Sequence, residues 1–419
     1  MQQNNKSGRS PSSSDKKMAA NQNEELTMDP HVTEWLNLTV RWVHMITGVA
    51  WIGASFYFNW LENQLDRRDP AKGLAGDLWA IHGGGIYHLE KYKLAPPKMP
   101  EKLHWFKWEA YTTFLSGFAL LAVVYYLNAE LYLVAPGSGL SAGAAIGISI
   151  GALVSGWFIY DLLCESPLGK KPRVLALVLF VLLVGAAWGL SQVFSGRGAF
   201  IHLGAIIGTI MVGNVFRCIM PSQRALVAAI EAGEQPDPAL PAKGLLRSRH
   251  NNYFTLPVLF IMISNHFPST YGSDNNWIIL SVLAVLSVLV RHYFNTRHLN
   301  QKYAWAIPAA AAGMIALAFV SAPQQMASPT AGPVAFSEVQ QVISERCVAC
   351  HSATPTFSGF ATAPAGIILD LPQQIQQLAP RINAQAIATQ VMPLGNITGM
   401  TPEERQLVGR WIVQGASIN

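Results

Sequence analysis

Charge is what this chain has least of. Only 13% of its 419 residues are Asp, Glu, Lys or Arg, while 51% are hydrophobic. That balance excludes an intrinsically disordered protein, and the small net charge of +5 gives no sign of a nucleic-acid partner. Cysteine is rarer still, with four in the chain, so a disulfide-stapled scaffold is excluded. No zinc-like Cys/His pair and no strand-preceded phosphate-binding glycine loop occurs. The first 34 residues are rich in Ser, Asn and Gln and lack the apolar stretch of a signal peptide. They read as a disordered tail.

What the chain does have is long apolar runs. A helix needs about 20 apolar residues to cross a bilayer core of about 30 Å. Candidate spans fall near 36–60, 109–128, 140–163, 173–193, 199–220, 253–268, 277–295 and 303–322. Pro257 makes the sixth short and interrupted. Basic residues then orient the bundle. Arg67, Arg68, Lys72, Lys91, Lys93, Lys98, Lys102, Lys107, Lys170, Lys171, Arg173, Arg217, Arg224, Lys243, Arg247, Arg249, Arg297 and Lys302 all fall in the odd-numbered connections, against Arg197 alone in the even ones. The odd side is therefore cytoplasmic, and an even number of spans puts both termini outside.

Near the C-terminus the chain reads Cys347-Val348-Ala349-Cys350-His351. C-x-x-C-H is the attachment signature of a c-type haem, with two thioethers from the cysteines and an axial nitrogen from the histidine. The alternatives are a chance C-x-x-C or a redox dithiol. A Met/His pair would suit electron transfer, and Met392 in a Met-Pro loop is favoured for the second ligand over Met400. For either methionine the plainer role is core filling. Residues 336–346 predict an amphipathic helix, and Thr401-Pro402-Glu403-Glu404 predicts the start of another. Together these bound a small class I-like cytochrome c domain at 334–419, behind a Pro/Ala-rich linker at 323–333. The expected fold is thus all-α, a polytopic bundle of about eight spans at 35–322 followed by this domain. Haem attachment places the domain on the periplasmic side of a bacterial inner membrane, in agreement with the charge pattern.

Ionisable residues inside spans default to functional hypotheses. His44, His202 and His266 fall at similar depth in the periplasmic half and are candidate ligands of a b-type haem; each also has the simpler reading of a helix–helix hydrogen-bond partner. His292 lies toward the cytoplasmic end. The first cytoplasmic connection carries WAIHGGGIYHLEKYK and HWFKWEAY. Its glycines permit close backbone approach, while His82, Tyr87, His88, Lys91, Trp105 and Trp108 suit a planar anionic heterocycle. Spacing alone favours a plainer interfacial anchor. Asn214 to Arg217 with Gln223, and Arg249 to Tyr253, add polar groups at the same end.

The string EWLNLTVRWVHMITGVAWIGASFYFNWLEN at 34–63, with LWAIHGGGIYHLEKYK and LHWFKWEAYTTFLSGFALL, closely resembles the bacterial membrane-bound urate oxidase (urate hydroxylase) family. The likeness covers almost everything after about residue 30. Its first span, with His44, Gly48, Trp51 and Gly53, also looks like that of the membrane protoporphyrinogen oxidases, which bind b-haem through a histidine there. The resemblance implies oxidation and hydration of urate to 5-hydroxyisourate in purine catabolism. Electrons would pass to cytochrome c and a terminal oxidase, without hydrogen peroxide. It suggests urate on the cytoplasmic side among His82, His88 and Lys91, with Trp105, Trp108 and Arg217 as further contacts and a histidine as base. A periplasmic site near His202 and His266 is the alternative, and a membrane-anchored electron carrier is the rival function.

Overall fold

The computed structural model describes residues 29–71, 73–96, 98–322 and 332–418. Most of the expected tail and linker, and Lys72, lie outside the described residues. Helix predominates, at 67% against 5% strand, so the architecture is helical with one exception. Asp29 caps the first helix, α1 (Pro30–Gln64), by accepting from the His31 and Val32 amides. Then follow α2 (Trp108–Leu121), prolonged by a π-helical turn at Ala122–Tyr126, the short α3 (Ala129–Tyr132), α4 (Ala142–Glu165) and α5 (Pro172–Val193). Next come α6 (Gly196–Gly213), a second π turn (Asn214–Ile219), α7 (Met220–Glu231), α8 (Ala239–Ser264), the one-turn α9 (Pro268–Tyr271), α10 (Asn276–Thr296) and α11 (Ala306–Val320).

By length and hydropathy, α4, α5, the α6–α7 run and α10 suffice to cross a bilayer, and α11 is apolar but shorter. Their shared core includes Leu133, Tyr160, Leu175, Phe194, Phe200 and Ile261. Two expected boundaries move. The sixth segment is not broken at Pro257: α8 runs through it and begins at Ala239. Its first half is basic and polar, which hid it from a hydropathy reading.

The exception corrects the all-α expectation. Leu74–His82 (β1) and Gly85–Tyr92 (β2) form an antiparallel hairpin in the register Trp79↔His88, Ile81↔Ile86, His82↔Gly85. The turn residues Gly83 and Gly84 both have positive φ, +57° and +81°, the conformation that the tightest hairpin loops demand. Two of the three consecutive glycines therefore serve a turn.

A separate core organises the C-terminal domain, where α12 (Phe336–Arg346) packs on α15 (Pro402–Val413) through Val339, Ile343, Val408 and Trp411. The short α13 (Pro372–Gln377) and α14 (Ala379–Ile382) contribute Ile375 and Ala379 to that core. Thr401 and Glu404 form a reciprocal capping box at the start of α15, as the sequence predicts. Arg346 ties this cap to α12 with 2.8 Å between Nη2 and Glu404 Oε1. That bond holds the Glu404 carboxyl below its ordinary value, against the opposing effect of partial burial. A depressed folded-state pKa stabilises the domain above the unfolded value of about 4.3, and this contribution is lost as pH falls through the lower folded value. Glu404→Gln is expected to lower the domain's calorimetric transition by about 4–8 °C at pH 7, with the gap to the wild type closing in acid.

Candidate functional site

The C-x-x-C-H turn follows directly from the end of α12. The Cys350 and His351 amides both donate to the Cys347 carbonyl, at 3.2 and 2.9 Å, which closes the turn. His351 Nδ1 lies 3.1 Å from the Ile367 carbonyl oxygen. A carbonyl only accepts, so Nδ1 carries the proton and Nε2 keeps its lone pair for a metal. Burial lowers the imidazole's pKa and favours the neutral ligating form. Burial also pushes the Cys347 thiol up to about 12 and raises Cys350. A redox dithiol needs the opposite shift. The donor set fits a covalently held haem.

The two candidate methionines differ in setting. Met400 is 3% exposed and belongs to the domain core. Met392 is half-buried at the edge of that core. Arg405 holds the Met392 loop by donating to the carbonyls of Met392 and Ala386. The same loop faces the helical bundle. A cavity of about 870 Å³ lies between Met392 and Thr389 on one side and Tyr132, Phe194, Arg197 and Tyr271 on the other. Cys350 is within electrostatic reach of the Tyr132 hydroxyl, and Val391 packs on the bundle's core. The Met392 loop therefore lies against the bundle.

Inside the bundle the three histidines are not equivalent. His202 is fully buried, with Nδ1 2.7 Å from the Gly198 carbonyl oxygen and Nε2 without a hydrogen-bond partner among the described residues. An orphaned imidazole nitrogen in an apolar core fits an absent metal ligand bond. His44 Nδ1 lies 3.0 Å from the Thr113 carbonyl oxygen. Its ring occupies the space beside Gly117, where a Cβ would come within 2.8 Å of Cε1. His202 and His44 thus both fit a haem iron through Nε2. His266 is exposed in the turn after α8 and joins neither of them.

The hairpin separates the other candidates. Side chains alternate along a strand, so the register puts His88 on the face of Trp79 and Ile81, and His82 on the opposite face. His88 Nε2 sits 2.8 Å from Asp77 Oδ2, and its ring stacks on Trp79. Lys91 pairs with Glu62 near the end of α1. Trp108 and Arg217 are exposed and Trp105 is half-buried. These residues do not converge on one enclosed pocket.

Two buried arginines were not legible as site residues. Arg247 of α8, 1% exposed, reaches both Asp161 and Glu165 of α4 at 2.7 Å. Around it, Asn214 of the second π turn donates to Tyr160 Oη and Asn251 Oδ1, and Tyr160 meets His250 Nδ1 at 2.7 Å. Single π turns often mark functional positions. Arg291 of α10 is 6% exposed and has no carboxylate partner among the described residues. Its Nε donates to Asn252 Oδ1 at 2.9 Å, its Cζ lies 4.2 Å from the Phe56 ring centroid, and its Nη2 is buried without a partner.

No curated protein and no solved structure matches the chain. A family model does, described as urate oxidase N-terminal, and it covers residues 30–322, which is the entire helical bundle with its hairpin. The chain belongs to the urate oxidase N-terminal family.

Proposed function

We propose that this protein oxidises and hydrates urate at a membrane and delivers the electrons to its own C-terminal cytochrome c domain. The supporting observation is the union in one chain of a urate oxidase N-terminal region with a C-x-x-C-H domain whose His351 keeps Nε2 free for a metal and whose Met392 loop lies against the bundle. Eight helical segments, starting with α1 and ending with α11, cross the inner membrane in this reading, with both termini periplasmic. The basic connections then mark the cytoplasm.

The reaction balances as urate plus water giving 5-hydroxyisourate, two protons and two electrons. A haem, when bound, accepts these electrons singly, which makes molecular oxygen unnecessary as the direct oxidant. Cys347 and Cys350 would hold it covalently, with His351 and Met392 as iron donors, and His44 and His202 would hold a b-type haem within the bundle. Arg405 fixes the Met392 loop through its carbonyl. Proton removal falls to a hairpin histidine, His82 or His88, of which His88 is paired with Asp77. His82 and Lys91 share the hairpin's other face, and Lys91 reaches Glu62 of α1. A soluble cytochrome c or a terminal oxidase is the next acceptor.

Membranes containing the protein are expected to consume urate with oxygen uptake that cyanide blocks, and to release no hydrogen peroxide. Cyanide-insensitive turnover with one peroxide per urate would overturn the reading.

A further inference from the structure

We infer that Arg291, with Asn252, Asn295, Asn59 and Phe56, is the seat that binds the substrate as an anion. The proposal rests on the urate reading above and adds where the substrate sits. A guanidinium inside an apolar helix is costly unless something repays its desolvation. Arg247 has two carboxylates for this purpose. Arg291 has only an amide oxygen and a ring face, and its buried Nη2 has no hydrogen-bond partner among the described residues.

The neighbours bring further amide groups to that guanidinium. Asn252 Oδ1 accepts from both Arg291 Nε and Asn295 Nδ2, at 2.9 and 2.7 Å. This fixes the Asn252 side chain with its NH2 group unbonded among the described residues. Asn295 Oδ1 in turn accepts from Asn59 Nδ2 at 3.1 Å, so α1, α8 and α10 meet at one polar point. A forked cation and a neighbouring amide NH2 match a planar heterocycle whose negative charge is spread over adjacent oxygen and nitrogen atoms. Urate at neutral pH is such a monoanion. Asn59 lies one helical turn from Glu62, which holds Lys91 of the hairpin. The seat thus lies toward the cytoplasmic end of the proposed topology.

The test uses the full haem-loaded protein in detergent, held reduced with dithionite so that urate binds without turning over. Equilibrium dialysis with radiolabelled urate is expected to show Kd raised about 30-fold or more in Arg291→Gln. Asn252→Asp is the decisive companion, since it keeps the shape and both bonds to Asn252 Oδ1 while placing a carboxylate against Arg291. It should melt at or above the wild-type temperature yet bind urate at least about 30-fold more weakly. Wild-type affinity in Asn252→Asp, or in Arg291→Gln, would overturn the seat and leave urate as substrate. A wild-type protein that neither binds urate nor is reduced by it would overturn the substrate reading and the seat together.

Discussion

Replacing Cys347 and Cys350 together by alanine is expected to abolish covalent haem and to cut respiratory urate turnover by more than about 100-fold. Loss of a group that merely supports a metal ligand costs about 10–100-fold, and here the attachment itself is removed. The expected damage extends to folding. The C-terminal domain spans little more than residues 332–418, and its core rests on a short set of side chains such as Val339, Ile343, Ile375, Val408 and Trp411. A core of that size supplies little net stability without a staple. The double variant should therefore lose the haem-stained band on a denaturing gel and the domain's separate calorimetric transition, while the bundle still accumulates. Wild-type turnover in a protein without covalent haem would contradict the assignment.

The second large effect concerns Arg247. Removing one partner of a buried ion pair costs about 3–5 kcal/mol, because the opposite charge is left uncompensated. Asp161 and Glu165 are 33% and 46% exposed at their side chains, and Glu165 keeps Lys243 at 2.9 Å. These features place the expected loss for Arg247→Ala nearer about 2 kcal/mol, or about 4–8 °C in the melting temperature of the detergent-purified protein. Asn214 and Tyr160 lose their packing against the guanidinium as well. An unchanged melting temperature would show that the network contributes nothing. The contrast with Arg291 is physical. Two carboxylates against a buried cation make a structural brace, whereas a buried cation with open donors awaits an anion.

How much of this was readable beforehand depends on the range of the interaction. Local signals carried well. Thr401, Pro402 and Glu404 announced the start of α15, and the amphipathic pattern of 336–346 announced α12. The apolar runs located α4, α5, α10 and α11 because bilayer-length hydrophobicity is a property of contiguous residues. The hairpin was harder. Trp79 and Ile81 share one face and Leu78 and Ala80 the other, so no clean polar alternation betrays the strands. The three glycines gave the turn only in hindsight.

The arginines failed for a different reason. A basic residue at a span end reads as an interfacial anchor, and Arg247 was counted in that role although it is buried. Nothing in one sequence joins Asn59, Asn252 and Arg291, because only folding brings α1, α8 and α10 together. His202 was marked by its depth in an apolar run, but its unpartnered Nε2 is a fact of three dimensions.

One anaerobic measurement addresses the central claim. Urate is added without oxygen to the purified, air-oxidised protein while the absorption of the c-type haem is followed. The account requires the haem to become reduced, two electrons appearing for each urate consumed. No reduction by urate, in protein that dithionite reduces normally, would contradict it and leave a membrane-anchored electron carrier in its place.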